Sequence, residues 1–339
     1  MRSAISLAAL AGACALAGCA TVTPSGLPPV AVMALEETDP VGTTNADAAD
    51  DPAIWRNAAN PAASFIVGTD KKSGLHVYDL AGRAVFSETS GLINNVDLAQ
   101  LPDGRVIVIA SDRNDPAHSM LRVWELDKAT GALSLMGQVP GGDGEGYGFC
   151  MRLDGEGVRA YSALKHGTVE EYRLTFPASG LQSQHLRTRS IPTQIEGCVA
   201  DPRDGTLYVG EEDAGIWRFG AEDVTGTIVA PIDNRYLVAD VEGLALLPDE
   251  ENGGWLVASS QGDNAYAVFG LPDMRPLGRF RIAEGIYGSV EETDGIELIG
   301  GDFGPAFPEG LFVAQDGDNL PAQNFKLVSW KDIREALGL

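Results

Sequence analysis

Six stretches of the chain repeat one pattern of apolar and polar positions: an apolar strand, a polar loop, then an alternating strand that often carries an aromatic residue. They are FIVGTDKKSGLHVYDL from Phe65, VIVIASDRNDPAHSMLRVWEL from Val106, RAYSALKHGTVEEYRL from Arg159, LYVGEEDAGIWRF from Leu207, WLVASSQGDNAYAVFGL from Trp255 and LFVAQDGDNLPAQNFKLVSW from Leu311. Their starts are 41, 53, 48, 48 and 56 residues apart. A second element precedes each hairpin: DDPAIWRN, NNVDLAQLPDG, YGFCMRLDGEG, EGCVADPRDG, VEGLALLPDEENGG and TDGIELIGGDFG. Each has a polar or acidic head, a short apolar strand and usually a Gly- or Asp-containing turn. Helical periodicity is scarce outside the terminal KDIREALGL. Repeats near 40 to 50 residues with several strands each mark propeller blades. The pattern predicts an all-β protein, a six-bladed β-propeller over residues 45–339.

In a propeller blade the innermost strand comes first and lines the central channel. The hairpin between the second and third strands returns to the face on which the chain entered the blade. The heads are therefore expected to meet at the channel mouth: Asp51, Asp97, Glu196, Glu242 and Asp294, with Tyr147 in the third blade. One blade cannot bury both of its faces, so the six must stack as one unit.

Charge sharpens this picture. The chain carries 48 Asp and Glu against 24 Lys and Arg, a formal charge of −24. Phosphate backbones need Lys and Arg, so nucleic acid is excluded as a partner. Carboxylates this close repel one another unless cations lie between them. The stretch ADAADDPAIWRN from Ala46 shows the same crowding. Hard oxygen donors without a Cys or His cluster point to Ca²⁺, in several ions, rather than Zn²⁺.

The hairpin loops add a second chemistry. Lys71 and Lys72, Arg113 and Lys165 come from the first three blades. Glu211, Glu212, Asp213, Gln261, Asp263, Asn264, Gln315 and Asp316 come from the last three. A cationic arc facing an acidic arc suits a polyanion held by Lys, Arg and bridging calcium, and phosphate fits that description.

The N-terminus reads as a targeting segment. MRSAISLAALAGACALAGCA has a positive start, an apolar run too short to span a membrane, and small residues before Cys19. LAGC, Leu16 to Cys19, resembles a bacterial lipoprotein box. It implies a signal peptide over 1–18, lipidation of Cys19 and a Pro-, Ser- and Thr-rich tether over 19–44. An ordinary secretory signal is the alternative. The expected location is the bacterial cell envelope, lipid-anchored at the outer membrane or periplasmic, and the expected state is a monomer. In that oxidising setting Cys150 and Cys198, each just inside an inner strand of consecutive repeats, are expected to form a disulfide.

From about Ala46 to Trp330 the chain resembles the β-propeller phytases, through DAADDPAIW, GTDKKSGLHVYDL, NNVDL, YGFC, EGCVAD, GEEDAGIWRF, DVEGLALL, ASSQGDNAYAVF, TDGIEL and FVAQDGDN in order. The resemblance implies calcium-dependent hydrolysis of phytate, inositol hexakisphosphate. It implies phosphate contacts from Lys71, Lys72, Arg113, Lys165 and Tyr147, and calcium ligands at Asp51, Glu196, Glu212, Glu242, Asp294 and Asp316. Glu212 takes a catalytic role as well, and Asp240, Glu211, Asp213 and Gln261 are its implied neighbours. This chain departs from the family pattern with His166 after Lys165, where a glutamate is usual, and with Gly288, where an aspartate is usual.

Two other readings compete: a different calcium-dependent propeller hydrolase such as a lactonase, and a non-catalytic calcium-binding propeller at the cell surface. A Ser-His-Asp hydrolase is unsupported, because GxSxG is absent and the four histidines are scattered. GGDGEGYG from Gly141 lacks a P-loop lysine and reads as a turn.

Overall fold

The computed structural model describes residues 25–249 and 253–339. The expected signal peptide and Cys19 lie outside the described residues. Six sheets of antiparallel strands follow one another in chain order as the blades of a propeller. Blade one comprises Ala49–Trp55, Phe65–Asp70, Gly74–Asp79 and Ala84–Thr89, counted from the channel outwards. Blade two runs from Ile93 to Asp143, blade three from Gly146 to Ser190, blade four from Ile195 to Pro231 and blade five from Val241 to Ala283. Blade six takes Ile296–Gly300, Gly310–Asp316 and Asn324–Ser329 from the C-terminal end.

Its fourth strand, Glu36–Glu37, comes from the N-terminal end and pairs antiparallel with Leu327 and Lys326. Val30–Met33 adds a fifth strand to blade five, parallel to Phe280–Ala283. This corrects the reading of 19–44 as a tether, because residues 30–37 belong to the disc. Without Glu36–Glu37 blade six would have three strands where the other blades have at least four. Beneath the closure lies a buried ion network, with Lys326 Nζ 2.6 Å from Glu37 Oε2 and 3.0 Å from Asp316 Oδ2.

The core is divided among the seams between blades, as stacked sheets require. Val67 and Val77 of blade one pack with Val108 and Trp124 of blade two. Fully burying each such side chain contributes about 1.5–3 kcal/mol. The Cys150–Cys198 disulfide joins the inner strands of blades three and four, with Cα atoms 5.7 Å apart. The C-terminal helix, Trp330–Leu337, is capped by the Ser329 side chain and buries Trp330 and Ile333.

One irregularity recurs and positions the site. The ladder between the first and second strands skips two residues near the channel mouth in blades one to five: 50–51, 94–95, 147–148, 196–197 and 242–243. In blade six, Asp294 and Gly295 stand immediately before the ladder begins at Ile296. The second residue of the pair is glycine in four blades, for a steric reason. A Cβ on Gly148 would sit 1.8 Å from the Glu196 carbonyl, and one on Gly197 2.1 Å from that of Glu242. Gly295 N instead donates to Asp50 O at 3.0 Å, and Gly243 N to Asp294 O at 2.7 Å. Neighbouring inner strands thus touch at these pairs, and the first residue of each is turned toward the channel mouth.

Candidate active site

Asp50, Asn94, Tyr147, Glu196, Glu242 and Asp294 are those first residues, one per blade. Asn94 Nδ2 bridges Asp50 Oδ2 at 2.9 Å and Glu196 Oε1 at 2.7 Å. Glu212, from the blade-four hairpin, joins Glu196 and Glu242, and one oxygen from each of the three lies within 4.8 Å of the others. Gln194 Nε2 donates to Glu212 Oε1 at 2.7 Å and orients it. Asp240 and Gln261 also line the mouth, a cavity of about 770 Å³. Gln261 Nε2 donates to Asp294 Oδ1 at 2.7 Å.

The mouth is strongly electronegative. Burial, then the neighbouring Asp50 charge, pushes Glu196 well above the usual carboxylate range. Burial and Glu196 do the same to Glu242. Burial holds Asp294 at about 7 despite the nearby Lys71. Glu212 and Asp240 are also raised, chiefly by burial. Lys71 is the local counter-ion: its Nζ lies 2.8 Å from Asp294 Oδ2, 2.9 Å from Asp47 Oδ1 and 3.0 Å from Asp50 Oδ1. Burial disfavours its charge, but these carboxylates raise its pKa above the usual lysine value.

Next to the triad, in blade three, Tyr147 carries two cations over its ring, with Lys165 Nζ 4.5 Å and the Arg113 guanidinium carbon 5.7 Å from the centroid. Arg113 has a loose 3.4 Å contact to Glu145. A cationic wall built on Tyr147 therefore adjoins the cavity that the carboxylate triad lines. A sequence profile of the phytase family matches residues 2–339.

The chain belongs to the phytase family.

A 3-phytase from Bacillus subtilis (strain 168) is 37% identical over 328 residues, which cover 91% of this chain and 85% of that protein. Among solved structures, a chain in the crystal structure of the mitotic checkpoint complex superposes with a TM-score of 0.51 at 11% identity, covering 98% of this chain and 86% of that one. The WD40 repeats of RRP9 give 0.51 at 14%, covering 83% and 79%. Those two likenesses concern the fold alone.

Against the expectations for a phytase, the structure brings Lys71, Arg113, Tyr147, Lys165, Glu196, Glu212, Asp240, Glu242, Gln261 and Asp294 to the mouth or its wall. Four other expected residues stand elsewhere. Asp51 is the second residue of its pair, so its Oδ2 turns away and accepts from Val96 N at 3.0 Å; Asp50 takes its place. Glu211 is the last residue of its strand and points beneath the loop, where it accepts from Thr193 N at 2.9 Å and Trp217 Nε1 at 2.8 Å. Asp316 is committed to Lys326 in the closure of blade six. Lys72 is exposed, and among the described residues only its backbone N–H is fixed, to Asp70 Oδ1.

Among the other acidic heads and loops, Asp97 lies deeper in the channel, accepting from Met151 N at 2.7 Å, while Asp263 is paired with Arg279. Gln315 Oε1 accepts from Asp294 N at 2.8 Å and so supports the mouth from behind. Sequence reasoning placed the stretch that holds Asp47, Asp50 and Asp51 at the calcium site but chose Asp51 as its ligand, and it did not single out Asn94 or Gln194.

The residues present fit a hard cation. Every donor in the triad is a carboxylate oxygen. Glu242 Oε2 and Asn94 Oδ1 are buried without a hydrogen-bond partner among the described residues. Buried polar atoms left so are costly unless something else satisfies them.

Proposed function

We propose that this phytase hydrolyses phosphomonoesters of phytate with Ca²⁺ held at the channel mouth. The observation that carries the reading is the Glu196–Glu212–Glu242 triad, which shares one cavity with Tyr147, whose ring holds Arg113 and Lys165. Glu196, Glu212 and Glu242 would hold calcium, with Asp50, Asp240 and Asp294 beside them. Bound calcium supplies neutralisation of phosphate charge and a water of lowered pKa.

The chain's own groups do the rest. Arg113 and Lys165 meet the non-bridging oxygens and stabilise charge that builds there during transfer. The Tyr147 ring fixes both cations in place. Gln194 engages one oxygen of Glu212 and leaves the other to accept a proton from the attacking water, while the charge of Lys165 favours the ionised form needed for that step. A lactonase would need no such cationic wall. We read Cys19 as a lipid attachment site, which assigns the enzyme to the cell envelope.

Phosphate release from phytate, abolished by a chelator and restored by Ca²⁺, tests the reading. Release that is indifferent to chelation would remove calcium from it. Hydrolysis of lactones without release of phosphate from phytate would overturn the assignment of substrate.

A further inference from the structure

We propose that the rim of the catalytic mouth at blades five and six rests on the lipid bilayer, which makes this enzyme one that works at a membrane surface. The proposal rests on the reading of Cys19 as lipidated.

The first observation is where the chain joins the disc. Gly26 N donates to Asp263 Oδ2 at 2.7 Å, Leu27 N donates to Arg235 O at 2.7 Å, and Arg279 Nη1 donates to Leu27 O at 2.8 Å. Asp263 lies in the short hairpin loop of blade five, whose Gln261, Gly262 and Asn264 line the mouth. Asn264 is a shared wall, since it also lines the adjoining cavity bounded by Ser25 and Gly26. The N-terminal segment is thus pinned at the edge of the site. Cys19 precedes Ser25 by six residues, a reach of about 20 Å at full extension. A lipid on Cys19 therefore holds this rim close to the bilayer, and no long spacer lets the disc turn freely.

The second observation is what the rim exposes. Ile286 and Leu320 are 95% and 75% exposed, the two highest values for large apolar side chains among the described residues. Both stand on the mouth side of these blades. Leu320 borders the catalytic cavity itself. Ile286 sits in the connection from blade five to blade six, between Gly285, which packs beside the Met33 side chain, and Tyr287, whose hydroxyl bonds Glu36. Met33, 58% exposed, ends the strand that the N-terminal segment adds to blade five. Exposed apolar side chains beside an attachment point suit a lipid surface, because one acyl chain anchors only marginally and a second contact makes it hold. Glu284, Glu291 and Glu292 share the rim, and the whole chain is strongly acidic, so a zwitterionic surface is favoured over an anionic one.

The test uses the full chain purified from the membranes of the producing cell and reconstituted in phosphatidylcholine vesicles. An environment-sensitive dye is placed on Ile286→Cys and, for comparison, on Leu135→Cys, an exposed position in blade two across the ring. The expected result is a blue-shifted emission and protection from an aqueous quencher at 286, with neither at 135. Equal exposure to the quencher at both positions, in a protein whose N-terminal peptide carries lipid by mass spectrometry, overturns the rim contact itself. A mature N-terminus without lipid overturns the proposal at its premise and leaves the phytase chemistry untouched.

Discussion

Replacing Lys71 by methionine should unsettle the metal-free enzyme far more than the calcium-loaded one. The substitution keeps an unbranched apolar stem as far as Cε and removes one ammonium from a nest of three carboxylates. Asp47 is largely exposed and contributes little. Asp50 and Asp294, with side chains 2% and 16% exposed, are the partners that matter. At about 3 Å and an effective dielectric near 20, each pair attracts by roughly 5 kcal/mol before desolvation is subtracted. Removing one partner of such a buried pair costs about 3–5 kcal/mol net, because the other charges are left uncompensated. In a domain of this size that corresponds to a fall in Tm on the order of 10 °C.

Calcium alters the balance, since a cation that binds only the folded state stabilises it by mass action. Without the competing ammonium the same carboxylates should also bind calcium at least about tenfold more tightly, a gain of about 1.4 kcal/mol. Differential scanning calorimetry in chelator and in excess Ca²⁺, with calcium titration calorimetry, reads both quantities. An equal loss of Tm in both conditions, with unchanged calcium affinity, would refute the reasoning and reduce Lys71 to a structural ion pair.

Three further outcomes follow from the same geometry. Arg113→Ala and Lys165→Ala should each lose about 1–3 kcal/mol of transition-state stabilisation, roughly 5- to 150-fold in kcat/KM, with a near-normal Tm, as read by phosphate release and thermal melts. Asp50→Asn should weaken calcium binding in titration calorimetry, whereas Asp51→Ala should cost about 1–3 kcal/mol of stability by leaving Val96 N unsatisfied; the reverse assignment would show that the paired residues had been read in the wrong order. In chelator the protein should be more stable near pH 5 than near pH 8, because burial holds Asp97 and Asp294 at about 7, above the ordinary 3.8. The folded state then binds more protons than the unfolded one, and stability falls as pH rises through that window; calorimetry across pH that shows the opposite slope would refute this.

The fold was legible because its signals are periodic. Each hairpin repeats the same alternation, and six repeats at blade spacing leave little choice of architecture. The closure was not legible. Val30–Met33 and Glu36–Glu37 are too short to announce themselves, and their Pro-rich surroundings read as linker. Only blade six, three-stranded without Glu36–Glu37, creates a demand for one of them, and blade five already has four strands. The misplacement of Asp316 has the same origin, since its partner Lys326 sits in the strand that Glu36–Glu37 completes. Glu211 and Glu212 present a different problem. Adjacent residues at a strand end point to opposite sides, so one of them must turn inward, and Thr193 and Trp217 decide which.

The choice between Asp50 and Asp51 was legible in principle. A shift of one residue turns a side chain to the other side of its strand, and two adjacent aspartates offer no internal clue. The other blades supply one. Tyr147–Gly148, Glu196–Gly197, Glu242–Gly243 and Asp294–Gly295 all place the functional residue immediately before a glycine. That glycine is required because the next inner strand's backbone fills the space a Cβ would need. Aligned on these pairs, Asp51 and Asn95 fall in the glycine column, and Asp50 and Asn94 fall in the column of the heads. In blade one the side chain in that column is itself put to use. Asp51 accepts a hydrogen bond from Val96 N in the next inner strand, so the contact that glycine permits between backbones elsewhere is made here through a carboxylate. The doubled acid is therefore a head followed by a brace, and the brace ties blade one to blade two at the edge of the catalytic mouth.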